Sequence, residues 1–215
     1  MVTPFMQMGT PFEELLDYRR RVSEMYARVR QPAQPVETRW AQFRRERDAL
    51  FGHHPQSALS PEQKTQFTGL DYFPYNPELR FLVTINPDVP QEEFEVELEE
   101  DGWLRMRRFG KVELTILGTP VSLSLFWLLG YGGGVFLSFR DQTNGRETYG
   151  GGRYLLDTIK HADLGQEEGK LVVDFNFAYN PSCAYNPRWH CPLPLPENWL
   201  DLPVCAGEKN PIAQV

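Results

Sequence analysis

From Leu79 onward the apolar residues fall into the two-residue rhythm of β-strands, and this change of period constrains the fold more than any other feature of the chain. The runs RFLVTI, FEVELEE, WLRMRRF, VELTILG, VSLSLFWLL, GVFLSFRD and KLVVDFNF are strand-like. They are separated by Asn86-Pro87, Asp101-Gly102, Gly110, Gly118-Thr119-Pro120, the glycines Gly132 to Gly134, and Gly169. Phe94, Val96 and Leu98 alternate with glutamates, and Leu114, Ile116, Leu123 and Leu125 alternate with polar or small residues, the pattern of antiparallel strands that bury one face. Short connections predict a meander. The expected fold is α+β, mainly β: N-terminal helices, then an antiparallel curved sheet or partly closed barrel, then a proline-rich C-terminal wrap.

The first third of the chain has a helical period. Thr10-Pro11-Phe12-Glu13 predicts a capped helix start, with the Thr10 hydroxyl accepting from the Glu13 N–H and Pro11 in the first turn. Phe12, Leu15, Leu16, Val22, Met25, Tyr26 and Val29 then mark one apolar face, and the helix is expected to end near Arg30. A second helix is expected over 36–51, with Trp40, Phe43, Arg47 and Leu50 on one side and Gly52 as its stop. Ser60-Pro61-Glu62-Gln63 caps a further short turn ending near Phe67. The chain therefore reads as a helical segment, 1–35, followed by a single β-rich domain, 36–215. At 215 residues it can bury a core without disulfide or metal staples.

Nine arginines crowd the first fifty residues, while Glu92, Glu93, Glu95, Glu97, Glu99, Glu100 and Asp101 form an acidic run. Each is expected to be a solvated face, with the two attracting each other. The net charge of −7 argues against nucleic acid as a partner, since phosphate binding needs a basic surface. The longest apolar stretch is interrupted by Gly130 and Gly132 to Gly134, short of the ~20 residues a membrane helix needs. No membrane association is expected. The N-terminus lacks the pattern of a secretory leader, and three cysteines, an odd number, fit the cytoplasm better than a disulfide framework.

Prolines dominate the last forty residues, where Ala-Tyr-Asn-Pro occurs twice in AYNPSCAYNPRWHC, from Ala178 to Cys191. Each proline removes a backbone donor and restricts its neighbour, so this tail is not helix. Its rings, Tyr179, Tyr185, Trp189 and Trp199, are expected to anchor it over the sheet. The doubled motif is most economically a rigid clamp. Cys183, His190 and Cys191 within it raise a metal site, completed by Cys205 or Asp174, but the spacing departs from the usual zinc knuckle and no resident metal is expected. A Cys183–Cys191 disulfide, a reactive thiol, and plain burial of small apolar side chains stand as the other readings.

FRDQTNGRETYGGGRYL, Phe139 to Leu155, is the second candidate segment. Asn144-Gly145 predicts a turn, and Gly150 to Gly152 permit close backbone approach. The loop could face an anion with Arg146 or Arg153, yet the residues after the glycines are not those of a phosphate-binding loop. Asp141, Asp157, Asp174, Glu197 and Glu208 are carboxylates that could converge on Arg153, and Asp141 with Arg153 reads equally as a structural ion pair.

These blocks carry a family resemblance. Phe139, Arg140, Asp141, Gly152, Arg153, Tyr154, Asp174, Asn176, Asn180, Cys183, Cys191, Asn198 and Glu208 resemble the signature positions of the bacterial and archaeal proteins grouped as domain of unknown function 1684. The resemblance spans roughly residues 40–209 and includes Phe67, Gly69, Leu70 and Phe73, while Leu195 stands where the family often has proline. It implies a fold and no assigned activity.

Three functions follow as expectations. The first is a binding module whose concave face, closed by the wrap, holds a small molecule with Arg153, Tyr154, Asn176, Asn180, Tyr185, Cys183 and Asn198. The second is a hydrolytic or redox enzyme using Cys183, or a carboxylate pair near Asp174, with Asp141 as a further catalytic candidate. The third is a scaffold that docks a protein through the basic N-terminal helix. The sequence identifies no cofactor and no oligomeric state. The junction between the strand carrying Asp174 and the clamp is where a site is expected.

Overall fold

The computed structural model describes residues 9–211. Residues 1–8, which begin the expected helical segment and the stretch read for a secretory leader, lie outside the described residues, as do 212–215. Helix α1 (Pro11–Val29) starts as its sequence predicts, with Thr10 Oγ1 accepting from the Glu13 N–H at 3.3 Å. Helix α2 (Val36–His53) runs two residues past the expected end, through Gly52. That glycine is an interior residue whose missing Cβ leaves room for the Phe67 ring, since a Cβ there would lie 2.9 Å from Phe67 Cδ1. Helix α3 (Pro61–Gln66) carries the full capping box, with Ser60 Oγ accepting from the Gln63 N–H and Gln63 Oε1 accepting from the Ser60 N–H.

Eight strands follow among the described residues: β1 (Arg80–Val83), β2 (Glu93–Glu97), β3 (Trp103–Ile116), β4 (Thr119–Leu128), β5 (Gly134–Phe139), β6 (Arg153–Asp157), β7 (Gln166–Glu167) and β8 (Lys170–Asp174). They form two antiparallel sheets, a five-stranded meander β2-β3-β4-β5-β6 and a three-stranded sheet β1-β8-β7. Among the described residues neither sheet closes into a barrel. The sheets are joined instead by backbone hydrogen bonds between Asn86 and Lys111, at 2.8 and 2.9 Å.

Gly110 explains both that junction and a second correction. It was expected to separate two strands, but WLRMRRF and VELTI form one fourteen-residue strand with a register shift between Arg108 and Gly110. A Cβ at Gly110 would come within 2.6 Å of Ile85 Cγ2 and 3.1 Å of the Asn86 carbonyl. Glycine here thus marks a bulge and a close approach of two sheets, not a turn.

Both sheets and both long helices share one core. Met25 and Tyr26 of α1 and Phe43 of α2 pack with Ile116, Leu125, Leu137, Val173 and Phe177. The outer face of the meander is covered as well: Met106, Phe126 and Phe136 form a further apolar group beneath Leu195 of the C-terminal wrap. Strand β6 is consequently buried at all five positions, so RYLLD shows no alternation and was missed as a strand.

The wrap is anchored largely as expected. Tyr185 is buried with Phe51, Leu59 and Tyr72, and the Trp189 indole N–H donates to the Ala58 carbonyl at 3.3 Å. Trp199 is the exception, half-exposed and lying over Arg140 at 4.7 Å. The acidic run also finds different partners from those expected. Glu93 pairs across the sheet with Arg107, which it faces in the β2–β3 register, and with Arg105 two residues along, while Glu92, just before β2, pairs with Arg108. Arg21 and Arg28 of α1 are matched by Asp17 and Glu46, and Arg30, just past its end, by Asp163.

Candidate functional site

The clamp enters along the edge of β6, where the backbones of Tyr154 and Tyr179 exchange hydrogen bonds at 2.8 and 3.0 Å. This pairing occupies the strand edge that an open sheet otherwise leaves bare. It also sets Asn180 over Glu208, whose carboxylate accepts from the Asn180 N–H at 3.2 Å and from Arg47 Nη2 at 3.0 Å. Asn180 Nδ2 reaches the Lys209 carbonyl at 2.7 Å. Burial pushes the Glu208 carboxyl up and Arg47 pulls it back, as a fully enclosed ion pair requires. Gly207 makes the approach possible: at φ 75° it lets the chain pass where a Cβ would meet the Ala178 and Phe175 carbonyls at 2.7 Å.

Beside this pair lies a cavity of about 110 Å³. Helix α1 contributes Tyr18, Val22, Met25 and Tyr26, and α2 contributes Arg47 and Phe51. Tyr154, Asp157, Lys160 and Ala162 close it from β6 and the following turn, while Tyr179, Asn180, Ser182 and Cys191 close it from the clamp. The space exceeds what a single water needs several-fold. Burial raises the phenols of Tyr26, Tyr154 and Tyr179, so they are neutral hydroxyls at physiological pH. Burial likewise raises Asp157, against the pull of Lys160, whose ammonium stands 3.8 Å away.

At the end of the clamp the Tyr149 hydroxyl lies 3.7 Å from Cys183 Sγ. Interaction between the two thiols raises Cys183 above the usual thiol range and lowers Cys191 below it. Both sulfurs are free thiols in partly buried residues, whereas Cys205 is exposed and stands apart.

Of the residues singled out in the sequence, Tyr154, Asp157, Tyr179, Asn180 and Cys191 line the cavity, Glu208 adjoins it, and Cys183 and Tyr185 lie next to it in the clamp. Tyr185 touches Asn180 Nδ2 through its hydroxyl at 3.4 Å. The others are committed elsewhere. Arg153 is fully enclosed, bonded to Asp141 Oδ2 at 2.8 Å and to the carbonyls of Val204 and Ala206, so the structural ion pair is what this segment builds. Asp141 Oδ1 accepts from both the Thr143 N–H and hydroxyl. Asn198 clamps the outer face of the meander, accepting from the Ser124 N–H and donating to the Ser124 and Ser138 carbonyls. Asn176 holds the Asn76 backbone.

Asp174 lines a separate crevice with Arg39, Arg80 and Glu167, where Arg80 stands between the two carboxylates at 3.7 and 2.5 Å. His190 turns away from the cysteines, with Nδ1–H on the Leu98 carbonyl and Nε2 facing Glu99 at 3.2 Å. Among the described residues no three His, Cys, Asp or Glu side chains converge as a metal site. The expected junction of strand and clamp thus divides into an Asp174 crevice and a cysteine-lined cavity. Lys160 and Tyr18 went unnoticed in the sequence, and Tyr26 was read only as part of the apolar face of α1. Arg47 had a signal, a charge at helical spacing from Phe43 and Phe51 on an apolar face, which requires a buried partner.

Fold and site define a small α+β protein with a buried Arg47–Glu208 pair beside an aromatic-walled cavity. The chain belongs to the family described as "Protein of unknown function (DUF1684)", which matches residues 65–209. The match starts later than the resemblance from residue 40 implied, leaving α1 and α2, and with them Arg47, outside it. The fold is similar to the solution structure of an uncharacterized protein from gene locus rrnAC0354 of Haloarcula marismortui. The two are 33% identical over 80% of this chain and 93% of that one, with a TM-score of 0.56. No curated protein matches the sequence. Among the described residues no helix is long and apolar enough to cross a membrane.

Proposed function

We propose that the protein binds a small molecule in the cavity between α1, α2 and the clamp. One observation carries this reading: a cavity of about 110 Å³ has both apolar walls and polar groups in its lining, Asp157, Lys160 and Asn180 among them. Concave sites with apolar walls and a few placed polar groups are the usual form of ligand pockets. The volume selects a compact ligand of few heavy atoms. Its apolar part packs on Val22, Met25 and Ala162, and its polar part faces Lys160 and Asn180. The proposal includes the cytoplasm as the compartment, supported by three free cysteines.

A thermal-shift screen with small amines, carboxylates and phenols tests the reading against the variant Val22→Trp, which fills the cavity without removing a hydrogen bond. A true ligand at 100 times its Kd stabilises the wild type by about 2.7 kcal/mol. The same compound leaves Val22→Trp unshifted. A compound that stabilises both proteins equally binds elsewhere and defeats the proposal.

A further inference from the structure

The lining of the cavity includes two opposite charges, Asp157 and Lys160, and local structure sets them side by side. Asp157, the last residue of β6, caps the turn that follows: its Oδ1 accepts from the Lys160 N–H at 3.3 Å, and its backbone exchanges hydrogen bonds with Ala162 at 2.9 and 3.0 Å. Side chains three apart in such a turn lie one above the other, and the Lys160 ammonium stands 3.8 Å from Asp157 Oδ2. That distance is too long for a hydrogen bond. Among the described residues Oδ2 accepts none and the ammonium donates none. The pair runs from the interior to the surface, since the Asp157 side chain is 5% exposed and that of Lys160 is 66% exposed. Arg47, the other cation of the lining, is already met by Glu208.

A ligand with one charge meets a like charge beside its partner. An amine on Asp157 faces the Lys160 ammonium, and a carboxylate on Lys160 faces the Asp157 carboxylate. An uncharged ligand takes water away from Asp157 without supplying a cation, and burial already penalises that carboxylate. A ligand that carries both charges a few bonds apart gives each side chain its opposite. We infer that the ligand of this cavity is a small amino acid in its zwitterionic form, which presupposes that the cavity binds a ligand at all. The ammonium donates to Asp157 Oδ2, the carboxylate accepts from Lys160 Nζ, and the short side chain lies against the apolar wall of Val22, Met25 and Ala162. An apolar cavity of about 150 Å³ takes a benzene molecule, so a space of about 110 Å³ suits about five heavy atoms, the size of glycine or alanine.

The test is calorimetric titration of the purified full chain with glycine, L-alanine and β-alanine, and with propylamine and propionate, which carry a single charge on a chain of similar length. At least one amino acid is expected to bind, and both single-charge probes to bind at least roughly tenfold more weakly. Asp157→Asn is expected to lose affinity for the amino acid and gain it for propionate, whereas Lys160→Met is expected to lose the amino acid and gain propylamine. A variant that merely folds poorly loses every probe and cannot exchange one for another. Propylamine or propionate binding the wild type as tightly as the amino acids, and failing to bind Val22→Trp, overturns the amino-acid class and leaves the cavity reading standing. Absence of binding by all three amino acids overturns the class as well, while the wider screen against Val22→Trp still decides whether the cavity is a site. Amino-acid binding that survives in Val22→Trp lies outside the cavity and also overturns the inference.

Discussion

Asp174→Asn reads the electrostatics of the fold through a single atom. Asp174 is 1% exposed at the end of β8; its Oδ1 accepts from the Asn176 N–H at 3.0 Å and from Asn176 Nδ2 at 2.8 Å. Its Oδ2 has no hydrogen-bond partner, and the nearest cation, Arg80 Nε, stands 3.7 Å away with its charge shared by Glu167. Burial outweighs these contacts and raises the carboxyl from 3.8 to about 6. The folded protein therefore holds this proton more tightly than the unfolded chain does. The stabilisation is intact below the unfolded value near 3.8 and is lost as the pH rises through about 6.

At about 1.4 kcal/mol for each tenfold in proton affinity, the rise amounts to about 3 kcal/mol between pH ~4 and pH ~7.5. Asparagine keeps the acceptor for Asn176 and has no proton to lose. Its amide replaces the unpartnered Oδ2 next to Arg80, a fixed offset that does not change with pH. The observable is thus the slope: the wild type loses about 3 kcal/mol relative to Asp174→Asn across this range, or about 7 °C in Tm for a chain of this size. Urea unfolding of both proteins at a series of pH values measures it. Parallel profiles refute the reasoning. A wild type that gains on the variant with rising pH also refutes it, and assigns Arg80 the dominant effect.

Two substitutions test the enclosed polar groups. Asn198→Ala strands the Ser124 N–H and the Ser124 and Ser138 carbonyls inside the wrap, and should cost about 3 kcal/mol or more in chemical denaturation, at 1–3 kcal/mol for each group left unpaired. Asp141→Asn and Arg153→Met should each destabilise by about 3–5 kcal/mol, because each leaves the other's charge enclosed, and the double variant should fall well short of their sum in a double-mutant cycle.

Local chemistry was legible where neighbours in sequence are neighbours in space. The Thr10 and Ser60 caps, the ends of α1 and α3 and the alternation of β2 and β4 depend on contacts a few residues apart, and the chain states them directly. Gly110 and RYLLD were misread because their meaning depends on distant residues: Ile85 crowds the one, and the main core and the wrap together bury the other on both faces. The site was legible only in outline. Asn180, Cys183 and Tyr185 were found in the clamp, but Arg47 and Glu208 are 161 residues apart, and nothing in either segment names the other.

The sequence by itself determined the helices, most of the strands, the stiffness of the clamp and the family, since periodicity, capping and proline act through the backbone nearby. Tertiary structure alone decided which charges are buried together, that Asp174 and the cysteines occupy different places, and that Cys191 lines the cavity. Those outcomes depend on desolvation and on distances across the fold, and both come into being only when segments far apart in the chain enclose the same space.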